Sequence, residues 1–296
     1  MKTPVFTGAG TAIITPFRDG KVDYKKFAQL IDLQIAGGTS AIIVCGTTGE
    51  SSTQSLEEHT ATVDFCVKHV GSRIKVIAGT GSNDTHDALH LSQAAEKSGA
   101  DACLLVTPYY NKTTQRGLVK HYSFVADRIG IPMIVYNVPS RTGLSITADT
   151  YKELSKHPNI NGVKEASSDF SLISSTQRAC GGDFFIWSGN DNETLPMMSL
   201  GAKGVVSVIS NIVPSAIADL TSLCLEGDFG RAAEIHYKYL DLMGKLFIEV
   251  NPMPVKAAMN MLGMDVGEPR MPLCDLAPEN LDKLKKSLID AGLLNS

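Results

Sequence analysis

No stretch of this sequence comes near the roughly 18 consecutive apolar residues of a membrane-crossing helix, so no bilayer span is expected. The opening segment, MKTPVFTGAGTAIITPFRDG, has neither the charged start, the long apolar run nor the small-residue cleavage site of a secretory signal. The six cysteines, Cys45, Cys66, Cys103, Cys180, Cys224 and Cys274, are widely scattered and form no C-x-x-C pair. That argues against a disulfide framework and a zinc site, and points to a reducing cytoplasm. Basic charge is also scarce: 27 Lys and Arg stand against 31 Asp and Glu, a net charge of -4. No field is available to hold a phosphate backbone, which excludes nucleic acid and leaves small molecules as the expected partners. The G-x-S-x-G elbow of a serine hydrolase is missing. His86 and His90 could share a helix face, but H-D-A-L-H lacks the glutamate of the H-E-x-x-H metal motif, so both are expected to face solvent. With a single tryptophan, Trp187, there is no stacking platform; that ring reads as core or rim packing.

What the chain does have is 296 residues that are 43% apolar, enough for one large core or two ordinary ones. Short β-branched runs recur at Thr11 to Thr15, Ala41 to Cys45, Lys75 to Gly79, Ala102 to Thr107, Pro132 to Tyr136, Ile160 to Lys164, Phe184 to Ser188 and Gly204 to Val208. Helical periodicity fills the gaps, as in Phe27, Leu30, Ile31 and Ile35, or Val63, Cys66, Val67 and Val70. Ser55 and Glu58 are spaced as a capping box for one such helix. Continuous apolar strands alternating with helices imply a parallel sheet covered on both faces. Eight such units can close into a (β/α)8 TIM barrel. An open doubly wound sheet is the alternative, but it would usually carry a Gly-rich dinucleotide loop after its first strand, and none is present. After Leu225 the β-runs stop and helical patterns continue, including one opened by Pro278 with Leu281, Leu284 and Leu288 on one face. The expected division is a barrel over residues 1–225 and a C-terminal helical extension over 226–296.

Chemistry on a barrel gathers where strands end and βα loops begin. The second run ends in Gly46-Thr47-Thr48-Gly49-Glu50, the fourth in Pro108-Tyr109-Tyr110-Asn111, the fifth in Tyr136-Asn137-Val138-Pro139 followed by Arg141, and the sixth in Gly162-Val163-Lys164-Glu165. A lysine carried to the rim on a barrel strand is desolvated, which disfavours its ammonium and leaves a nucleophilic amine. Such an amine can attack a carbonyl to form an imine. A snorkelling lysine, or one paired with Glu165, is the plainer reading. Three neighbours favour the chemical one. Thr47 and Thr48, flanked by glycines, suit a turn offering hydroxyls and backbone N–H groups to a carboxylate. Tyr136 lies one strand away and could move protons to and from the imine. Arg141 could hold a second carboxylate through its planar fork.

Taken together, G-A-G-T-A-I-I-T-P-F at 8–17, G-T-T-G-E-S at 46–51, P-Y-Y-N at 108–111, Y-N-V-P-S-R-T-G at 136–143, G-V-K-E-A-S at 162–167 and N-P-M-P-V-K at 251–256 resemble the dihydrodipicolinate synthase family, nearly end to end. The family stands within the N-acetylneuraminate lyase superfamily of pyruvate-dependent class I aldolases. The resemblance implies condensation of pyruvate with L-aspartate 4-semialdehyde, on the diaminopimelate route to lysine, with no cofactor because the imine is itself the electron sink. It implies that Lys164 is the Schiff-base residue and that Tyr136, Thr47 and Tyr110 form a hydroxyl relay, Tyr110 coming from a neighbouring subunit. It further implies that Thr48 binds the pyruvate carboxylate and Arg141 that of the aldehyde, with Gly189 and Val206 lining the pocket by their backbones. A cytoplasmic homotetramer built as a dimer of dimers follows from the same likeness. So does a lysine-binding regulatory cleft at Ser51, Ser52, Leu56, His59, Asn83, Asp87 and Tyr109. The rival within the superfamily is an N-acetylneuraminate lyase or keto-sugar-acid aldolase, which would share Lys164, Tyr136 and the G-T-T-G-E loop but would not need Arg141.

Overall fold

The structure is a computed structural model and describes residues 1–295. Eight parallel strands close into a barrel in the spatial order of the chain: Gly8–Ala12, Ala41–Val44, Lys75–Gly79, Ala102–Val106, Met133–Asn137, Ile160–Glu165, Phe185–Ser188 and Gly204–Ser207. The barrel expectation is met, and the helices between the strands cover its outer face. Most strand ends fall within one residue of the sequence reading, and the one large difference is the first strand, Gly8–Ala12, three residues ahead of the β-branched run. Gly10 pairs with both Val206 and Ala41, and a Cβ there would meet the Phe6 ring at 2.8 Å and Ile43 at 2.9 Å. Steric room at the barrel wall, and not β propensity, selects that segment.

Alternate residues of each strand point to opposite sides of the wall. The inward set packs as Ala41, Ile43, Ile77, Leu104, Ile134, Tyr136, Phe185, Trp187 and Val206. Trp187 is fully buried there, stacked on Phe6 and donating its indole N–H to Phe6 O at 3.1 Å. The outward set joins the helices in the larger core. On the sixth strand the pairing skips a residue, running Met133 to Ile160 and then Ile134 to Gly162. The extra residue, Asn161, is held by Val5 N–H and Thr3 O. This bulge turns the strand's phase over, so Ile160 faces outward while Lys164 faces inward.

Beyond the eighth barrel helix, Pro214–Glu226, come helices Phe229–Lys245, Met253–Met261 and Pro278–Asp290. In the last of these Leu284 and Leu288 are buried, while Leu281 sits at the exposed edge of the apolar face. The tail returns to the barrel mouth. Lys256 makes a wholly buried ion pair with Glu50 at 2.6 Å, and Glu50 also accepts from Arg270 N–H at 2.8 Å. Both Lys256 and Arg270 lie on the Phe17 ring. The capping box is half formed. Ser55 accepts from Glu58 N–H at 3.2 Å, but the Glu58 carboxylate turns away to Arg270, 2.7 Å from its Nη2. A guanidinium is the stronger partner for it than a free backbone N–H.

Candidate active site

Lys164 and Glu165 are neighbours in sequence but occupy opposite sides of the barrel wall. Glu165 points out, accepting from Tyr151 OH at 2.7 Å and from Asn137 Nδ2 and Ser167 N–H at 2.9 Å each. It is therefore not the partner of Lys164, and the plain ion-pair reading falls. Lys164 points in and is 6% exposed, with Tyr136 and Trp187 opposite it on the flanking strands. Its Nζ lies over the Tyr136 ring, 4.2 Å from the centroid. Burial is the main cause of a fall in the amine's pKa to about 7; Arg141 pushes the same way and the Asp191 carboxylate opposes. Burial likewise pushes the Tyr136 phenol up, offset by the Arg141 charge and the Thr47 side chain.

The amine opens onto a cleft of about 300 Å³ walled by Thr47, Thr48, Tyr136, Arg141, Gly189 and Asn251, among others. A smaller chamber inside the barrel shares Thr47, Thr48, Tyr136 and Lys164 with it. The Thr47-Thr48 segment is a tight turn closed by Gly49 N–H to Gly46 O and Glu50 N–H to Thr47 O, both 3.1 Å. Gly189 is needed where it is: a Cβ would come within 2.7 Å of Ala166 Cβ and 3.1 Å of Lys164 Cε, displacing the lysine side chain.

Six of the eight residues expected from sequence to act on substrate meet in this cleft: Thr47, Thr48, Tyr136, Arg141, Lys164 and Gly189. Val206 is packed inside the barrel, and the cleft wall at that strand's end is Val208. Tyr110 is 92% exposed and stands away from the cleft of its own chain. Six of the regulatory residues, Ser51, Ser52, Leu56, His59, Asp87 and Tyr109, line a separate cavity of about 420 Å³, with Asn83 in the adjoining one. That cavity shares Thr47 and Arg141 with the cleft. His86 and His90 are exposed.

Two buried polar residues at or beside the cleft carried no expectation from the sequence. Asn251 donates to Thr48 Oγ1 at 2.9 Å while its backbone carbonyl accepts from Arg141 Nη2 at 3.2 Å, so one tail residue ties Thr48 and Arg141 together. The N-P-M-P-V-K motif marked the segment without revealing this. Asp191, buried beside the cleft, had no sequence signal beyond a polar turn.

The Dihydrodipicolinate synthetase family model matches residues 5–291. The 4-hydroxy-tetrahydrodipicolinate synthase of Thermoanaerobacter pseudethanolicus is 50% identical over 292 residues, 98% of each chain. The solved dihydrodipicolinate synthase of Aquifex aeolicus superposes with a TM-score of 0.95 at 50% identity, covering 97% of this chain and 99% of its own. A dihydrodipicolinate synthase variant characterised as monomeric matches with a TM-score of 0.95 at 40% identity over 98% of both chains. On this agreement of sequence and barrel over almost its whole length, the chain belongs to the dihydrodipicolinate synthetase family.

Proposed function

We propose that this chain is a lyase that condenses pyruvate with L-aspartate 4-semialdehyde to give 4-hydroxy-tetrahydrodipicolinate. The observation that carries the reading is Lys164, a buried amine brought near neutrality at the floor of a cleft walled by a tyrosine, two threonines and an arginine. Lys164 Nζ attacks C2 of pyruvate and water leaves. Tyr136 takes a proton from C3, and the resulting enamine carbon adds to the aldehyde. The semialdehyde's own amine then displaces Lys164 and closes the ring. Thr47 passes protons with Tyr136, Thr48 holds the pyruvate carboxylate, and Gly189 gives the imine room. The role proposed for Val206 is confined to its backbone.

Arg141 favours the semialdehyde over a sugar acid as second substrate. Among the described residues it is bound through one N–H group, to Asn251 O, which leaves much of its fork free at the cleft wall. Arg141→Ala should leave pyruvate imine formation largely intact while raising KM for aspartate semialdehyde by about tenfold or more, the order expected when one charged hydrogen-bonded contact is lost. Stopped-flow capture of pyruvate and steady-state kinetics with aspartate semialdehyde or N-acetylmannosamine check this; equal damage to both steps, or preference for the sugar, overturns it.

Residues 226–296 are proposed to act as an extension of a 1–225 barrel, supplying Asn251 to the site. Tyr110, so exposed on its own chain, is proposed to complete the relay in the cleft of a second copy, with two such pairs forming a homotetramer.

The 420 Å³ cavity is proposed to take lysine as a feedback ligand. Asp87 supplies a carboxylate for its ammonium. His59 is kept uncharged by burial, its Nε2 2.8 Å from Gly79 O, and so does not repel it. Leu56 offers no polar partner, so inhibition should be weak. Titration of lysine at subsaturating pyruvate should give inhibition in the millimolar range. No effect at tens of millimolar, where binding is worth only ~2 to 3 kcal/mol, removes the cavity from regulation.

A further inference from the structure

Asn251 stands in the tail between the helices Phe229–Lys245 and Met253–Met261, is 4% exposed, and walls the cleft together with Thr48 and Arg141. Among the described residues its side chain makes one hydrogen bond: Nδ2 donates to Thr48 Oγ1 at 2.9 Å. Oδ1 is buried without a partner. A bare buried amide oxygen is a cost to the fold, and an apolar side chain of similar size would avoid it. Stability therefore gives little reason for an amide at this position. What remains is the effect of its N–H on Thr48.

Thr48 is itself buried, and its hydroxyl has one hydrogen to give and two lone pairs to receive with. An amide N–H can only donate, so the bond from Asn251 engages a lone pair and leaves the hydroxyl hydrogen uncommitted. Among the described residues that hydrogen has no acceptor, and Thr48 walls both the cleft and the chamber that hold Lys164. A carboxylate can only accept. We propose that Asn251 is a positioning residue for pyruvate: by donating to Thr48 it makes the threonine hydroxyl a donor toward the substrate carboxylate. This rests on the reading of Thr48 as the holder of that carboxylate. An acceptor in the place of Nδ2 would do the reverse, drawing the hydrogen away and turning lone pairs on the anion. Arg141 is attached to Asn251 by a different route, the backbone carbonyl, which every substitution of the side chain keeps. The side chain thus serves the first substrate, and the backbone holds the residue that serves the second.

Asn251→Leu, Thr48→Val and the double variant test this through kcat/KM for each substrate. Because a covalent intermediate divides the reaction, the pyruvate value reads capture and the aspartate semialdehyde value reads condensation. Thr48→Val should lower kcat/KM for pyruvate about tenfold, the order of one hydrogen bond to a charged group, and Asn251→Leu about fivefold, since the hydroxyl is present but no longer directed. The double variant should lose about tenfold, no more than Thr48→Val alone, because Asn251 acts through a hydroxyl already removed. In Asn251→Leu the aspartate semialdehyde value should change by less than about twofold, and the melting temperature should hold or rise. Losses that multiply to about fiftyfold in the double variant overturn the proposal, as they would show that the two residues act separately. So do equal losses with both substrates, an unchanged pyruvate value in Asn251→Leu, or no effect of Thr48→Val. If Asn251→Leu does not fold, Asn251→Ala is put through the same comparison. Absence of any borohydride-trapped pyruvate on Lys164 in the unaltered protein would overturn the proposed function instead, so the two failures are distinguishable.

Discussion

Lys164→Ala abolishes covalent capture of pyruvate: after borohydride treatment the protein gains no mass, and turnover falls to background. Among the described residues no second amine walls the cleft, and the other buried lysine, Lys256, is locked to Glu50. Turnover by the variant with no other lysine labelled would falsify the imine mechanism. In the unaltered protein, capture rises with pH through about 7 and then levels, because the neutral amine is the nucleophile and its pKa lies there. Stability supplies an independent check. The unfolded lysine holds its proton to about 10.5, the folded one only to about 7, so between these values the unfolded state binds more protons. Stability therefore rises with pH across that window, and the buried lysine is a burden below it. Lys164→Met should melt higher than the parent near pH 7, an advantage that shrinks as the pH is raised toward 10.5. A lower melting temperature at neutral pH would mean that Lys164 is a structural partner and not a desolvated nucleophile.

Tyr136→Phe keeps the barrel and loses on the order of 10²-fold or more in kcat, the usual contribution of a placed proton-transfer group. The ring stays: it is packed among Ile134, Trp187 and Val206 and lies beneath the amine, so phenylalanine fills the same space. What goes is the hydroxyl that Thr47 and Arg141 act upon. Imine formation should survive better than condensation, because the proton at C3 is the one left without a carrier. Pre-steady-state trapping and a solvent isotope measurement separate the steps; an unchanged kcat returns Tyr136 to the ranks of the core.

The parts of this site legible from the sequence share one property: each is a polar residue ending an apolar run. Lys164 and Tyr136 stand out because a barrel strand has little reason to carry either, and the parallel alternation puts them side by side. Illegible parts depend on partners remote in the chain. The first strand is mostly glycine and alanine, whose fitness for the wall appears only once Phe6 and Ile43 crowd it. The bulge at Asn161 exists because the N-terminal segment ties it down, yet it decides which face Lys164 occupies. Asp191 reads as one more turn residue until the eighth strand's end wraps its oxygen. Glu58 shows the same limit, its spacing fitting a cap while a distant arginine claims its side chain.

The tail that returns to the barrel mouth has a consequence for how the protein is made. Thr48 is held by a residue 203 positions further along, and Glu50 by one 220 positions further. While the chain is being synthesised, the eight strands emerge, and can find one another, before either partner has left the ribosome. Until then neither Thr48 nor Glu50 has the tail partner that holds it in the finished barrel. A chain released early would lack both of these contacts at the barrel mouth, so the last helices to be made are the ones that finish the rim.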